Sequence, residues 1–360
     1  MANFKLGCNF DLSLIDRVSQ LNYQYSKRAR INEFYGSDRR MAYLTARPDF
    51  RLPEISKQYF EKYIERCNEN SIDFNYTMNT INPGSKGFLI EKKNEIMDFV
   101  RYLESIGVRR VTIANPVLME IVRETTSTLG IDVSTVFHID AISQAKFLKE
   151  KYNVEKICCN LIKTRHIRFL KNLAKYCNNN NIMLEHMVNE FCGVSGENYS
   201  THCVYRDSCY LFHASDKTKE DAAGLDGYPM SRCIFHRNET PANWLRMRFI
   251  RPEDIDKYVN IGINNFKITG RTGTTDYLAY VAEGYMLGKW NDNLLTLWKP
   301  LETIQSDLNE LEFKQKFYID NSKLNGFVYH WFDNPDFDCS LEECGLTCDY
   351  CQRFYELVMK

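Results

Sequence analysis

The chain has almost no net charge: 46 basic residues stand against 47 acidic ones, a formal −1 over 360 residues. That balance argues against a general electrostatic grip on nucleic acid or on an anionic membrane, and leaves a local basic patch as the means of holding an anion. There is no run of about 18 apolar residues, so no membrane span is read. No glycine-rich phosphate fingerprint follows the first strand, and no G-x-S-x-G elbow or H-E-x-x-H zinc helix occurs anywhere. Internal repeats and low-complexity tracts are missing too. The opening "MANFKLGCNFDLSLID" lacks a basic region followed by an apolar core and a small-residue cleavage site, and reads as a mature cytoplasmic N-terminus.

What is present is a regular alternation. Short β-like runs such as "FKLGCNF", "INEFYGS", "IDFNYTMN" and "RRVTIANP" are separated by segments with the i, i+3, i+4 apolar spacing of helices. Further strands are expected at 131–139, 154–162, 182–190 and 264–270, with Gly107 closing one helix and Pro116 stopping one strand. Eight strands alternating with eight helices over residues 1–290 predict an α/β fold of the (β/α)8 TIM type. An open doubly wound sheet is the alternative. The rhythm breaks at 291–360, which is read as a C-terminal cysteine-rich appendage.

In such a barrel the strand ends converge on one catalytic face. His138, Glu190, Lys267 and Arg271 are the candidate catalytic residues there. His138 has a chemistry suited to acid–base work, though Asp140 beside it reads equally as a helix cap. Lys267 and Arg271, in "KITGRTG", suit a carboxylate or phosphate, or else a salt bridge to a neighbouring loop. The loop "FYGSDRRMAYLTARP" interleaves Arg39, Arg40 and Arg47 with Tyr35 and Tyr43, a pattern fit for a nucleotide or small anion, or simply a solvated loop.

Thirteen cysteines are unevenly spread. Cys192, Cys203, Cys209 and Cys233 fall in a polar segment after the seventh strand, beginning "NEFCGVSGENYSTHCVYRDSC". Their loose spacing is poor for a zinc ribbon and suits a cluster wrapped by one long loop, placing a metal-binding insertion at 190–235. Ordinary reduced thiols are the plain alternative. His202 adjoins Cys203, but neighbouring side chains in an extended loop point apart, which is poor for a catalytic dyad. In the tail, "CSLEECGLTCDYC" spaces Cys339, Cys344, Cys348 and Cys351 as C-x4-C-x3-C-x2-C. That pattern reads as a second iron–sulfur cluster, a structural zinc, or a redox pair.

The stretch "RPEDIDKYVNIGINNFKITGRTGTTDYLAYVAEGY", with "NEFC" through "MSRC" upstream, resembles the collagenase-like peptidases, family thirty-two among peptidases of unknown catalytic type. Thr269 stands where that family's strand motif has glutamate. The resemblance implies a barrel-type fold and, in several branches, a four-iron four-sulfur cluster, whose ligands carry over to Cys192, Cys203, Cys209 and Cys233. It also implies oxygen-independent modification of a small molecule, peptide or nucleotide, by hydroxylation or sulfur transfer, with an electron- or sulfur-donor protein as partner. A Cys/His peptidase and a zinc-stapled binding module without catalysis are the competing expectations.

Overall fold

The computed structural model describes residues 1–47, 49–81, 83–84, 87–190, 240, 242–298 and 318–359. Eight parallel strands close into a barrel in chain order. They are β1 (Ala2–Gly7), β2 (Ala29–Gly36), β3 (Asp73–Met78), β4 (Arg110–Ile113), β5 (Gly130–Val133), β6 (Lys156–Cys158), β7 (Met183–Met187) and β8 (Asn265–Ile268). Closure is made by β1 lying beside β8, with Asn3 opposite Asn265 and Leu6 opposite Ile268. The chain therefore has the (β/α)8 fold expected from its alternation. Each observed strand lies within two residues of its expected start, but several stop earlier. The run read as 131–139 is strand only to Val133, because Ser134 turns the chain into a 3-10 turn, Thr135–Phe137.

The helices that pack outside are α1 (Leu12–Gln24), α2 (Lys57–Glu69), α3 (Lys93–Ser105), α4 (Pro116–Thr125), α5 (Ile142–Tyr152), α6 (Ile167–Asn179), α7 (Ile255–Asn260) and α8 (Thr275–Leu287). Their starts are set by local chemistry. Asp11, Ser56, Asn115 and Thr274 each accept a hydrogen bond from the first helical turn, leaving fewer orphan donors. Pro116 sits at the first helical position, where its missing N–H costs nothing. Each helix buries one stripe. On α2 this is Phe60, Tyr63, Ile64 and Cys67, packed among Phe10 and Phe74.

The strand period sends alternate residues to opposite faces. Phe4, Leu6, Phe34 and Phe74 are buried in the main hydrophobic core. Lys5, Glu33, Asn75, Thr112, Asp132, Lys156 and Glu185, one from each of β1 to β7, form a buried polar layer at the centre of the barrel. Barrels of this kind usually fill that space with branched apolar side chains.

Cys158 and Cys159 part ways at the end of β6. Cys158 is set among Glu185, Lys267 and Leu161, while Cys159 faces Cys177 of α6. The appendage is tied to the barrel through Asn321, which donates to the Trp290 carbonyl at 2.8 Å and to Glu253 Oε1 at 2.9 Å. Its Phe327 and Trp331 belong to the same buried cluster as the barrel helices. The chain closes on α9 (Tyr350–Met359). Among the described residues no helix is long and apolar enough to cross a membrane.

Candidate functional site

At the C-terminal face of the barrel, the loops after β1, β2 and β8 enclose a cavity of about 340 Å³, lined by Cys8, Asn9, Ser37, Arg47, Arg51 and Arg271 among others. Three guanidinium groups share this space. Arg271 Nη1 donates to Ser37 Oγ at 2.9 Å. No carboxylate lies within ion-pair distance of Arg271 among the described residues; the groups that act on it are Tyr35, Cys8 and Tyr76. Burial, with Arg271 close by, pushes the Arg47 guanidinium below its usual value, and Glu190 partly restores it. Arginine nevertheless keeps its proton at neutral pH, so the cavity is cationic.

Backbone shape brings Arg271 there. Gly7, the last residue of β1, leaves room that a side chain would take: a Cβ on it would sit 3.0 Å from the Arg271 nitrogen and 3.2 Å from Tyr35 Oη. Gly270 has φ +119, a conformation that L side chains rarely adopt, and it turns the chain after β8. Thr269, where the resembling family has glutamate, donates from its backbone nitrogen to Asn189 Oδ1 at 2.7 Å. Asn189 in turn donates to the Leu297 carbonyl at 3.0 Å. This position ties the ends of β7 and β8 together.

One layer below, Lys267 Nζ stands 4.0 Å from the centroid of the Tyr35 ring, a cation–π contact. Burial lowers the Lys267 ammonium, and Lys5 pushes in the same direction. Burial pushes the Cys8 thiol up to about 12. Among the described residues no histidine lines the cavity with it. Cys8 is therefore not an activated nucleophile.

Of the four candidate catalytic residues, Glu190, Lys267 and Arg271 come together around Tyr35 and Arg47. His138 does not line this cavity. It sits at φ +58 after the 3-10 turn. Asp140 is not the cap of α5; Asn160 donates to its carboxylate, and Gln144 Oε1 accepts from the Asp140 and Ala141 nitrogens instead. In the arginine-rich loop the roles divide. Arg40 pairs with Asp38 and lies over the Phe60 ring, Arg39 makes an exposed pair with Glu54, and Arg47 reaches the cavity. Arg51 and Ser37 were not singled out by pattern. Their signal was loop position: both follow β2 in the segment that carries Arg47.

Cys192, Cys203, Cys209 and Cys233 lie outside the described residues. Cys339, Cys344, Cys348 and Cys351 do not: all four line one cavity beside Arg165, Arg246 and Arg248. Cys351 is pushed up to about 11 by burial, against the pull of Arg165. The cavity they share with these arginines, Trp331 and Tyr350 has a volume of about 20 Å³. Among the described residues no three His, Cys, Asp or Glu side chains form a group ready to hold a metal ion. The four cysteines thus share one small cavity without forming a closed ligand set.

The sequence profile of peptidase family U32 matches residues 44–322. An uncharacterized protease of Methanocaldococcus jannaschii is 24% identical over 351 residues, covering 96% of this chain and 92% of that protein. A solved U32 peptidase superposes with a TM-score of 0.47 at 12% identity, over 75% of this chain and 93% of its own.

Proposed function

Since the chain belongs to peptidase family U32, we propose that it is an enzyme that seats the anionic group of its substrate on Arg47, Arg51 and Arg271 and modifies that substrate with an iron–sulfur cluster. The observation that carries this reading is the mouth cavity itself. It has room for a small molecule, a cationic lining, and an Arg271 that no carboxylate neutralises. Guanidinium groups bind carboxylate and phosphate in a two-point fashion, which orients a substrate as well as holding it. Lys267 lies behind this lining against the Tyr35 ring, and Glu190 acts on Arg47.

A thiolate-held cluster supplies electron exchange or a Lewis-acid iron when bound. Cys192, Cys203, Cys209 and Cys233, in the segment that follows β7 in sequence, are its proposed ligands. The class of reaction is oxygen-independent hydroxylation or sulfur transfer on a small molecule, peptide or nucleotide. A donor protein would deliver electrons or sulfur, in a cytoplasmic setting. The Cys8 thiol, kept protonated by burial, supports this reading over hydrolysis by that thiol at the mouth.

The test is purification without oxygen, followed by iron and sulfide analysis, an absorption spectrum and titration with inorganic phosphate and malonate. About four irons per chain, broad absorption at roughly 400 nm and anion binding lost in Arg271→Gln are the expected results. A colourless, iron-free chain that cleaves peptides without reductant would reverse the assignment to that of a peptidase.

A further inference from the structure

A second site lies away from the mouth, where the appendage meets the loop after β6 and the short helix Ala242–Arg246. We propose that Cys339, Cys344, Cys348 and Cys351 hold one thiophilic divalent ion of the zinc class, that Arg165 offsets the charge of the resulting thiolate centre, and that this centre fastens α9 to the barrel.

Three independent observations converge. First, four thiols from a thirteen-residue stretch line a single small cavity. The turn that carries two of them is already formed: the Glu343 carbonyl accepts from the nitrogens of Leu346, Thr347 and Cys348, and Gly345 donates to the Cys348 carbonyl at 2.9 Å. Gly345 has φ +94, and the backbones of Cys344 and Cys348 bridge. A tetrahedral zinc with bonds of about 2.3 Å needs sulfurs about 3.8 Å apart. The described thiols do not already form such a group, so binding would require their side chains to turn inward about the turn.

Second, Arg165 is 2% exposed and no carboxylate lies within ion-pair distance of it among the described residues. Its Nη2 donates to the carbonyls of Leu245 and Met247, both at 2.7 Å, and its Nε has no partner. The guanidinium is held between Trp331, 4.3 Å from the ring centroid, and Phe327 at 5.0 Å. A permanent buried charge needs an anion. Four thiolates around a divalent cation carry a net −2, and Arg165 points Nη1 at Cys351 Sγ, 3.9 Å away. Arg246 and Arg248 line the same space.

Third, Trp331 Nε1 donates to Cys339 Sγ at 3.1 Å. An N–H donor to sulfur is the support that metal-bound thiolates ordinarily receive from their surroundings. The ion would join Cys351 of α9 to Cys339 and Cys344 of the preceding loop, against a helix that leads back to the barrel.

The experiment uses the wild-type full-length chain, purified under reducing conditions. Zinc and iron are counted, and thiols are alkylated with iodoacetamide with and without a strong chelator, with each cysteine mapped by mass spectrometry. About one zinc per chain is expected, with the four tail thiols reacting at least about tenfold faster once the chelator is present. Arg165→Gln should weaken zinc binding about tenfold while leaving the ligands in place. Chelator-independent alkylation of the tail thiols would overturn the proposal. So would iron that stays in a chain whose Cys192, Cys203, Cys209 and Cys233 are all changed to alanine, and so would phosphate, rather than a metal, protecting the tail. Because the readout is position by position, failure here leaves the mouth reading untouched.

Discussion

The barrel centre and the barrel mouth both collect charge, but they treat it differently. At the centre every cation has its carboxylate. Lys5 Nζ lies 2.6 Å from Asp132, 3.4 Å from Glu185 and 3.5 Å from Glu33, and Lys156 contacts the same three. Arg110 closes the layer from below, 2.8 Å from Asp73 and 3.2 Å from Glu155. Burial alone would raise the Glu33 carboxyl, but Lys156, Lys5 and Arg110 hold it well below the usual range. Burial would likewise lower Lys5, but Asp132, Glu185 and Glu33 hold it well above its usual value. At the mouth, Arg47 feels Glu190 as its carboxylate influence, and no carboxylate acts on Arg271 among the described residues. Charge matched within the fold serves structure. Charge left unmatched in a cavity is available to a ligand.

The contrast breaks most visibly if a central carboxylate is removed. Asp132→Asn would leave Lys5 and Lys156 short of a partner, and is expected to cost about 3–5 kcal/mol in denaturant unfolding. A loss near zero would mean that the layer is not a closed network.

Acid titration sharpens the same contrast. His186 is buried, and burial lowers it from 6.5 to about 4, with Nδ1 set 3.0 Å from the Met187 carbonyl. Between those values the unfolded chain binds the extra proton, so stability falls as pH drops, by up to roughly 3 kcal/mol. The contribution of Glu33 and Glu185 runs differently. Their folded values are depressed, so it is full above the ordinary carboxylate range and is lost only below it. Unfolding midpoints followed from pH 6.5 to 4.5 should therefore show the His186 slope, and His186→Leu should flatten it.

Arg271→Gln probes the other side. It should weaken phosphate or malonate binding by about 1.5–3 kcal/mol, a tenfold to hundredfold change, with the unfolding midpoint nearly unmoved. A large stability loss would place Arg271 with the central network instead. The smallest effect belongs to Arg39→Ala, in the same arginine-rich loop. Its pair with Glu54 is exposed, and calorimetry should register less than about 1 kcal/mol and no change in anion binding.

Much of the frame was legible from local signals. Runs such as "FKLGCNF" and "NNFKITG" announce strands by β-branched and aromatic content between turn residues, and Asn115-Pro116 announces a helix start. The strand ends pointed to Glu190, Lys267 and Arg271, because a barrel gathers those ends by topology. His138 was a fair candidate on the same ground and lay elsewhere, since a 3-10 turn ends β5 early and redirects the chain. Lys5, Glu33 and Lys156 went unnoticed. In "FKL" or "INEFYG" a single charged residue looks like a solvent-facing position of a half-buried strand, and nothing local says that both faces are covered. Arg165 was equally silent in "KTRHIRF", although the spaced arginines of "LRMRFIRP" were a signal of the basic wall beside the tail thiols.

By itself the sequence determined the alternation of strands and helices, their caps, the neutrality of the whole, and the crowding of thiols in two stretches. These are properties of neighbours within a few residues, where backbone preference and side-chain period decide. Only the tertiary structure decided which charges face each other. Lys5 meets Asp132 across 127 residues, Arg271 meets Ser37 across 234, and Arg165 meets Cys351 across 186. Such pairings depend on closure of the barrel and docking of the tail. Burial then makes each match or mismatch of charge count for far more than it would in water.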